Sequence, residues 1–442
     1  MTNAMTKKTL LTCPPVNLSV EKNALRFPLG ILCLGSYLKD RGEQVQIYHD
    51  QPYTQKGFLE ALKNAQPAVV GLSCDSANFA SCVTLSRLVK KFNKDICVVA
   101  GGIHASCFDR LILEKTPSID IVVRHEGEEA LAEILERIPA SKGGRGLDKI
   151  AGISYRTNNR IASNKDRPFI KNIDTLPPLA YELIDMVKIE SYNFPGWWPI
   201  HSGRGCCYNC KFCASVGQWK RAHRAMSPER VIDEVDRCRE RHHIRGCYFY
   251  DLTFTIDKNR VRQICHAMKK RNIPWGCYTN PSCCDASLLA DMRLAGCRRI
   301  IFGAESLSDR MLKLMGKPHR SRQAIDILNK SHATGMETRF EIMLGFPGET
   351  DATLKENLEA LKQLDKGIMQ NNIYLYQLHP GSLMYATMKK LGMIDDEAWF
   401  DGFRMEDFIQ LYYPQTFVKK IYRTKQDIET MFQDVYEPPR PL

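Results

Sequence analysis

Apolar residues along this chain follow two alternating rhythms. Thr9–Thr12, Val45–Tyr48, Val69–Ser73, Ile96–Ala100 and Asp120–Val123 are short β-rich runs that predict strands. Between them, Leu29–Asp40, Gly57–Asn64, Phe79–Phe92 and Phe108–Glu114 carry apolar residues at helical spacing. Leu34, Tyr37 and Leu38, for example, share one helix face. Regular β–α alternation over residues 1–145 predicts a parallel sheet with helices on both faces. Such sheets bind ligands at the carboxyl ends of their strands. Gly101-Gly102-Ile103-His104 follows the fourth strand, and Arg124–Glu128 follows the fifth and opens a helix at Glu129–Ile138. Paired glycines at such an end suit either a bulky ligand close to the backbone or a tight βα turn.

A Lys/Gly-rich break at Ser141–Gly146 ends this unit. Residues 146–195 read as a hairpin, Ile150–Tyr155 and Arg160–Ser163 around Asn158-Asn159, and then a proline-punctuated linker from Pro168 to Pro195. Alternation resumes over 196–390. Ser227-Pro228-Glu229 is a helix start, with a capping Ser, Pro at the first position and an acid in the first turn. The strands are Ile200–Gly203, Gly246–Tyr250, Trp275–Thr279, Arg298–Phe302, Thr338–Met343 and Asn372–Tyr376. Polar and glycine residues gather where they finish, as in a β/α barrel whose chemistry sits on that face. Residues 391–442 form a short aromatic and charged extension.

The 442 residues exceed one ordinary core and suit two domains with an appendage. No apolar run reaches the length needed to cross a bilayer. The first residues, Met1–Thr9, lack a secretory pattern, so the expectation is a cytoplasmic protein without membrane partners. The net charge of +12 reads as a solvated Lys/Arg-rich surface. Its basic stretches, Arg221–Arg224 and Arg237–Arg245, lack interleaved aromatics, so no nucleic-acid partner is expected. The 17 cysteines are odd in number and come without an export signal. They suit reduced thiols, buried or bound to metal, rather than a disulfide framework.

Cys206, Cys210 and Cys213 are spaced C-x3-C-x2-C behind a glycine-rich lead-in, Ser202–Gly205. Three thiolates on one short loop can each hold one iron of a cubane and leave the fourth iron open. An open iron can chelate the amino and carboxylate groups of a methionine moiety, which places a sulfonium beside a reducible cluster. Four-thiolate clusters, in contrast, are closed electron carriers. Two other readings remain at this stage. One is a zinc site with His201 as fourth ligand, although no second knuckle follows. The other is a redox pair at Cys210 and Cys213. Cys207 falls outside the spacing. Phe212 is expected to pack near the cluster or an adenine ring.

From these residues the chain resembles the radical S-adenosylmethionine superfamily, in the subgroup with an N-terminal cobalamin-binding domain. The resemblance runs from about Pro28 to about Tyr385. It includes Pro28-Leu29-Gly30, Val70–Ser73, Ala100–His104, Arg124–Glu129, Ile150–Tyr155 and Asp174–Pro178. It implies an α/β fold: a doubly wound, Rossmann-like cobalamin-binding-type domain followed by a partial (β/α)6 barrel of TIM type. It also implies a [4Fe–4S] cluster on Cys206, Cys210 and Cys213, with S-adenosylmethionine and cobalamin as further cofactors. Asp251 and Thr253 match positions near the methionine ammonium and carboxylate. Glu305 and Ser306 match a Gly-x-Glu-Ser element, and Gly345 to Glu349 a Gly-x-Pro-Gly-Glu element under the adenosyl group. Gly101, Gly102 and His104 match the cobalamin side. The D-x-H-x-x-G signature of an axial histidine is absent, since Cys13-Pro14-Pro15-Val16-Asn17 follows the first strand.

The activity implied is reductive cleavage of S-adenosylmethionine, with methyl transfer to a small molecule or natural-product intermediate foremost. A reductant such as flavodoxin or ferredoxin is the expected protein partner. Oxidative ring formation or rearrangement is the next reading. A cobalamin-independent transfer of a 3-amino-3-carboxypropyl group to arsenite is another, with Cys277, Cys283 and Cys284 as soft ligands or as plain packing. The alternative from a different class is a cluster-binding module without turnover.

Overall fold

Strand β1, Lys8–Thr12, lies between β2 (Gln44–Tyr48) and β3 (Val69–Ser73) and pairs parallel with both. β4 (Cys97–Gly101) and β5 (Ile121–Val123) continue the parallel sheet. The order 2-1-3-4-5 is one of the two common doubly wound orders, and it reverses direction between β1 and β3. Helices Leu29–Asp40 and Phe79–Phe92 match their predicted bounds. The hairpin β6 (Ile153–Thr157) and β7 (Arg160–Ser163) joins this sheet antiparallel to β5 and makes it seven-stranded. Arg124 ties the hairpin down. Its buried guanidinium donates to Asp109 (3.0 Å), Asp166 (2.9 Å), Ser154 (2.6 Å) and the Asn164 carbonyl. Leu11, Ile31, Leu38, Val69, Val99 and Ile134 build the core beneath.

This computed structural model describes residues 8–18, 27–50, 52–138, 146–157, 160–186 and 194–432. The Asn158-Asn159 turn and residues 141–145 of the Ser141–Gly146 break lie outside them. Over the described residues the chain divides into two units. The first takes Met1–Lys171, Thr175–Glu190 and Met388–Phe403; the second takes Asn172–Asp174, Ser191–Thr387 and Arg404–Leu442. The expected extension 391–442 is thus shared, its start grouped with the first unit and its remainder with the second.

The second unit is built on six parallel strands: β8 (Trp198–Ile200), β11 (Cys247–Phe249), β12 (Trp275–Thr279), β13 (Cys297–Glu305), β14 (Glu337–Leu344) and β15 (Met369–Leu375). Each neighbours the one before it in this series, as in a barrel. A short antiparallel ribbon, β9 (Gly203–Arg204) with β10 (Arg224–Ala225), flanks the loop between them. Alternation on β14 sorts its side chains. Thr338 bonds Ser331 of the helix outside, and Phe340 and Ile342 are buried on that same side. Glu337, Arg339 and Glu341 line the opposite face, where Arg299 of β13 donates to Glu337 at 2.8 Å. Phe194 plugs this interior. It stacks on Tyr248 at 4.7 Å, and a Cβ at Gly276 would meet its ring at 2.3 Å. No helix of the described residues is long and apolar enough to cross a membrane.

Candidate functional site

The loop 205–214 leaves β9, and its backbone is held on several sides. Gly205 has φ +78°, and a Cβ there would sit 2.0 Å from the Ala222 carbonyl. The glycine-rich lead-in is therefore required by the chain's own backbone. Lys211 N–H donates to Met315 O (2.8 Å), and Lys211 O accepts from Met384 N–H (2.9 Å). Cys213 N–H donates to Cys210 O at 3.1 Å, folding two of the three predicted ligands onto one turn, with Cys206 four residues before Cys210 on the same loop.

Burial pushes the Cys210 thiol up to about 12 and raises that of Cys213. Thiols so placed ionise only against a cation, and iron supplies one. Among the described residues no three His, Cys, Asp or Glu side chains converge on a point that would hold one metal ion. Cys206 and Cys213 both add to the rise of the Cys210 thiol, and Cys206 to that of Cys213, so the three sulfurs are neighbours. Three neighbouring thiolates on one short loop suit a cubane that keeps one iron open. His201 is buried and held neutral, its imidazole pushed down to about 3 chiefly by burial, with Arg204 adding.

Asp251 follows β11 and is 6% exposed. Its carboxylate accepts from Ser202 N–H (3.0 Å) and Ser202 Oγ–H (2.7 Å). Arg260 binds the other side of the same residue, donating to Ser202 O at 2.8 Å. Burial raises the Asp251 carboxyl, and Arg260 and these donors oppose that rise. The Asp251–Arg260 pair thus fixes the segment that delivers the cluster loop. Thr253 Oγ1 donates to Leu252 O and lies 3.8 Å from Cys206 Sγ.

Glu305 closes β13 with φ +67°, a conformation costly for a residue with a side chain, beside a β-bulge. Its carboxylate lies 3.5 Å from Lys317 Nζ. Ser306 turns inward instead. It is fully buried and donates to Asn357 Oδ1 at 3.0 Å. Glu349 also turns inward, accepting from Gly345 N–H at 2.5 Å and from Thr353 Oγ–H at 3.4 Å. Gly345 has φ +83°, and Tyr413 Oη bridges Glu349 N–H and Phe346 O. Glu349 and Ser306 shape their loops from within. Phe212 lies edge-on to Phe346 at 6.5 Å, with Lys317 Nζ 5.9 Å from its ring centre.

In the first unit, Gly102 has φ +101°, and a Cβ there would lie 2.6 Å from Cys74 O. The close approach at Gly102 is made by the chain's own βα turn, whereas a Cβ at Gly101 would meet only ordinary contacts, the nearest Val123 O at 3.7 Å. His104 is fully buried among Phe79, Phe108 and Trp399, with ring centres at 4.4, 4.8 and 5.5 Å. Its Nδ1 meets Ser76 Oγ at 3.0 Å, and burial pushes it down to about 3. This imidazole is a neutral packing group. The crevice between the ends of β1 and β3 is bridged by Asn78, which donates to Pro14 O (3.0 Å) and Ser73 O (3.1 Å). Asn78 thereby fixes the strand-end crevice at which such a sheet takes a ligand.

Asn78, Lys317 and Glu341 were not singled out from sequence. Glu341 was legible in principle, because Glu337, Arg339 and Glu341 recur at period two within an apolar strand. Burial, with Glu305 adding, pushes its carboxyl up to about 7, and it accepts from Asn371 (2.9 Å) and Tyr374 (3.2 Å). Cys277, Cys283 and Cys284 are all buried, and the last two pair with Tyr208 Oη (2.9 Å) and Thr255 Oγ1 (3.5 Å).

Residues 200–361 match the radical SAM superfamily, and residues 25–135 match the B12 binding domain. The chain belongs to the radical SAM superfamily, in its branch with an N-terminal B12-binding domain. As a cobalamin-dependent radical SAM enzyme it takes a [4Fe–4S] cluster, S-adenosylmethionine and cobalamin as cofactors. It is similar to an uncharacterized methyltransferase, PH0819, of Pyrococcus horikoshii, 27% identical over 441 residues, covering 96% of this chain and 95% of the relative. It is also similar to the anaerobic magnesium-protoporphyrin IX monomethyl ester cyclase of Rubrivivax gelatinosus, 25% identical, over 84% of this chain and 68% of the relative. Among solved structures, the cobalamin-dependent S-adenosylmethionine radical enzyme OxsB with aqua-cobalamin bound shares the fold. The TM-score is 0.72 at 20% identity, over 88% of this radical SAM chain and 62% of OxsB.

Proposed function

We propose that this chain is a methyltransferase acting on a small molecule, with Cys206, Cys210 and Cys213 holding the cluster. The observation that carries this reading is end-to-end similarity to a relative named a methyltransferase, over 96% of this chain and 95% of that one. When bound, the cluster with S-adenosylmethionine supplies one-electron cleavage of an S–C bond, and cobalamin supplies a methyl carrier.

The chain's own residues supply placement. Asp251 and Arg260 anchor the loop entry, and Thr253 flanks Cys206. Glu305 offers a carboxylate to the methionine ammonium, a charge-assisted pairing. Glu349 and Ser306 hold loops rather than ligand. Glu341, with Asn371 and Tyr374, offers the polar surface inside the barrel against which a substrate donor or acceptor can be oriented. A low-potential reductant of the flavodoxin or ferredoxin class is the protein partner.

Oxidative cyclisation is the second reading, favoured by the cyclase similarity over 84% of this chain. Anaerobic incubation of the reconstituted, reduced protein with candidate metabolites separates the two by intact mass. Methyl transfer adds one CH2 unit to the product, and ring closure removes two hydrogens. Cys206→Ala, Cys210→Ala and Cys213→Ala are each expected to abolish iron colour and turnover. Turnover retained in any of the three refutes the ligand assignment.

A further inference from the structure

The side chain of Lys317 is 4% exposed, yet its ammonium lies beside the cluster loop. It follows the helix Asp309–Met315, whose end is fastened to that loop. Met315 O accepts from Lys211 N–H at 2.8 Å, and a Cβ at Gly316 would lie 3.0 Å from Asn209 O. Lys317 N–H donates back to Leu312 O at 2.9 Å, fixing the root of the side chain. Its tip donates to Gly303 O at 2.8 Å and lies 3.5 Å from Glu305 Oε1 and 5.9 Å from the centre of the Phe212 ring. Phe212 is the residue between Cys210 and Cys213 that immediately precedes the latter.

A buried ammonium has its lost hydration offset by carbonyl and carboxylate partners, and here Gly303 O and Glu305 serve. The same ammonium faces the ring of Phe212, next to Cys213, while the helix before it is fastened to Lys211, next to Cys210. The lysine and the glutamate therefore bring opposite charges to the loop that carries Cys210 and Cys213, from one rigid pair.

We propose that Lys317 sets the reduction potential of the cluster, its fixed ammonium favouring the reduced state and Glu305 moderating that effect. The inference rests on the assignment of Cys206, Cys210 and Cys213 as cluster ligands. Reduction adds one electron to a group whose three thiolates already make it anionic. Net charge and nearby donors are among the levers that tune such clusters. In a buried, poorly screened setting a fixed cation lowers the cost of that electron. Lys317 is thus a positioning and tuning residue rather than a catalytic one.

The test is an anaerobic dithionite titration of the full-length reconstituted chain, followed by electron paramagnetic resonance. S-adenosylmethionine is omitted, so a lysine that merely binds that molecule gives no effect. Lys317→Met is expected to move the midpoint potential to more negative values at unchanged iron content, and Lys317→Arg to stay near wild type. Glu305→Gln is expected to move it the other way. A Lys317→Met cluster with the wild-type midpoint overturns the proposal and leaves a purely structural lysine. If Lys317→Met takes up no cluster, Glu305→Gln decides: an upward shift supports the proposal, and no shift or a downward one overturns it. A wild-type protein with no cluster signal is a different failure. It refutes the ligand assignment and this inference falls with it.

Discussion

At the scale of single residues, Glu349 shows how a motif position can serve its own loop. Its carboxyl is 4% exposed and is pushed up by burial from 4.5 to about 7, against the donors Gly345 and Thr353. The folded chain therefore holds this proton more tightly than the unfolded one. Stability from this group is full below pH 4.5 and is lost as pH rises through about 7. Glu349→Gln removes the proton uptake while keeping an oxygen for Gly345 N–H. Its stability relative to wild type is expected to rise across that window by on the order of 3 kcal/mol. Denaturant unfolding at stepped pH checks this. Glu341, also pushed up to about 7, is present in both proteins and cancels in the difference. A difference that stays flat with pH means that Glu349 meets water in solution.

At the scale of elements, the strands and helices were largely legible because burial follows period two and period 3.6 so regularly. Val69–Ser73 and Trp275–Thr279 have their predicted bounds. The pairing of the hairpin with β5 was not legible, since it depends on Arg124 reaching Asp109 and Asp166, partners far along the chain. The same limit applies at the site. Spacing alone proposes Cys206, Cys210 and Cys213 as the ligands, because the chemistry needs three thiols on one short loop. Spacing could not show that Asp251 spends its oxygens on Ser202, or that Ser306 spends its hydroxyl on Asn357. Both facts depend on which way a side chain leaves a strand end. They make Asp251 a support for the cluster loop, and supports of metal ligands carry much of a site's affinity. Asp251→Asn, which keeps the volume and loses the charge facing Arg260, is expected to fold and to retain iron roughly 10–100-fold more weakly. Iron release to a chelator, followed by absorbance, measures it. Wild-type retention would return Asp251 to the role of a ligand contact alone.

At the scale of the whole molecule, sequence order and unit membership part company. The first unit is not finished by the residues before 191, since Met388–Phe403 belongs to it as well. That late segment brings aromatic rings to the end of β4. Trp399 lies edge-on to His104 at 5.5 Å and to Phe403 at 5.1 Å, and Phe400 lies edge-on to Phe79 at 5.1 Å. Lys115 pairs with Glu397 at 2.9 Å, an exposed contact that adds little. The rings carry the energy, because Trp399 is 6% exposed and His104 is wholly enclosed. Trp399→Ala is therefore expected to cost about 3–5 kcal/mol, the range for deleting a large buried aromatic. It also opens His104 to water, so its imidazole is expected to titrate nearer its ordinary 6.5 than at about 3. Thermal unfolding gives the first quantity, and the pH dependence of the His104 ring resonances gives the second. A fragment ending before residue 191 lacks the same rings and is expected to unfold at lower temperature than the first unit within the full chain. An intact melting temperature in that fragment, with His104 still silent to pH, would mean that the late segment only rests on a finished core.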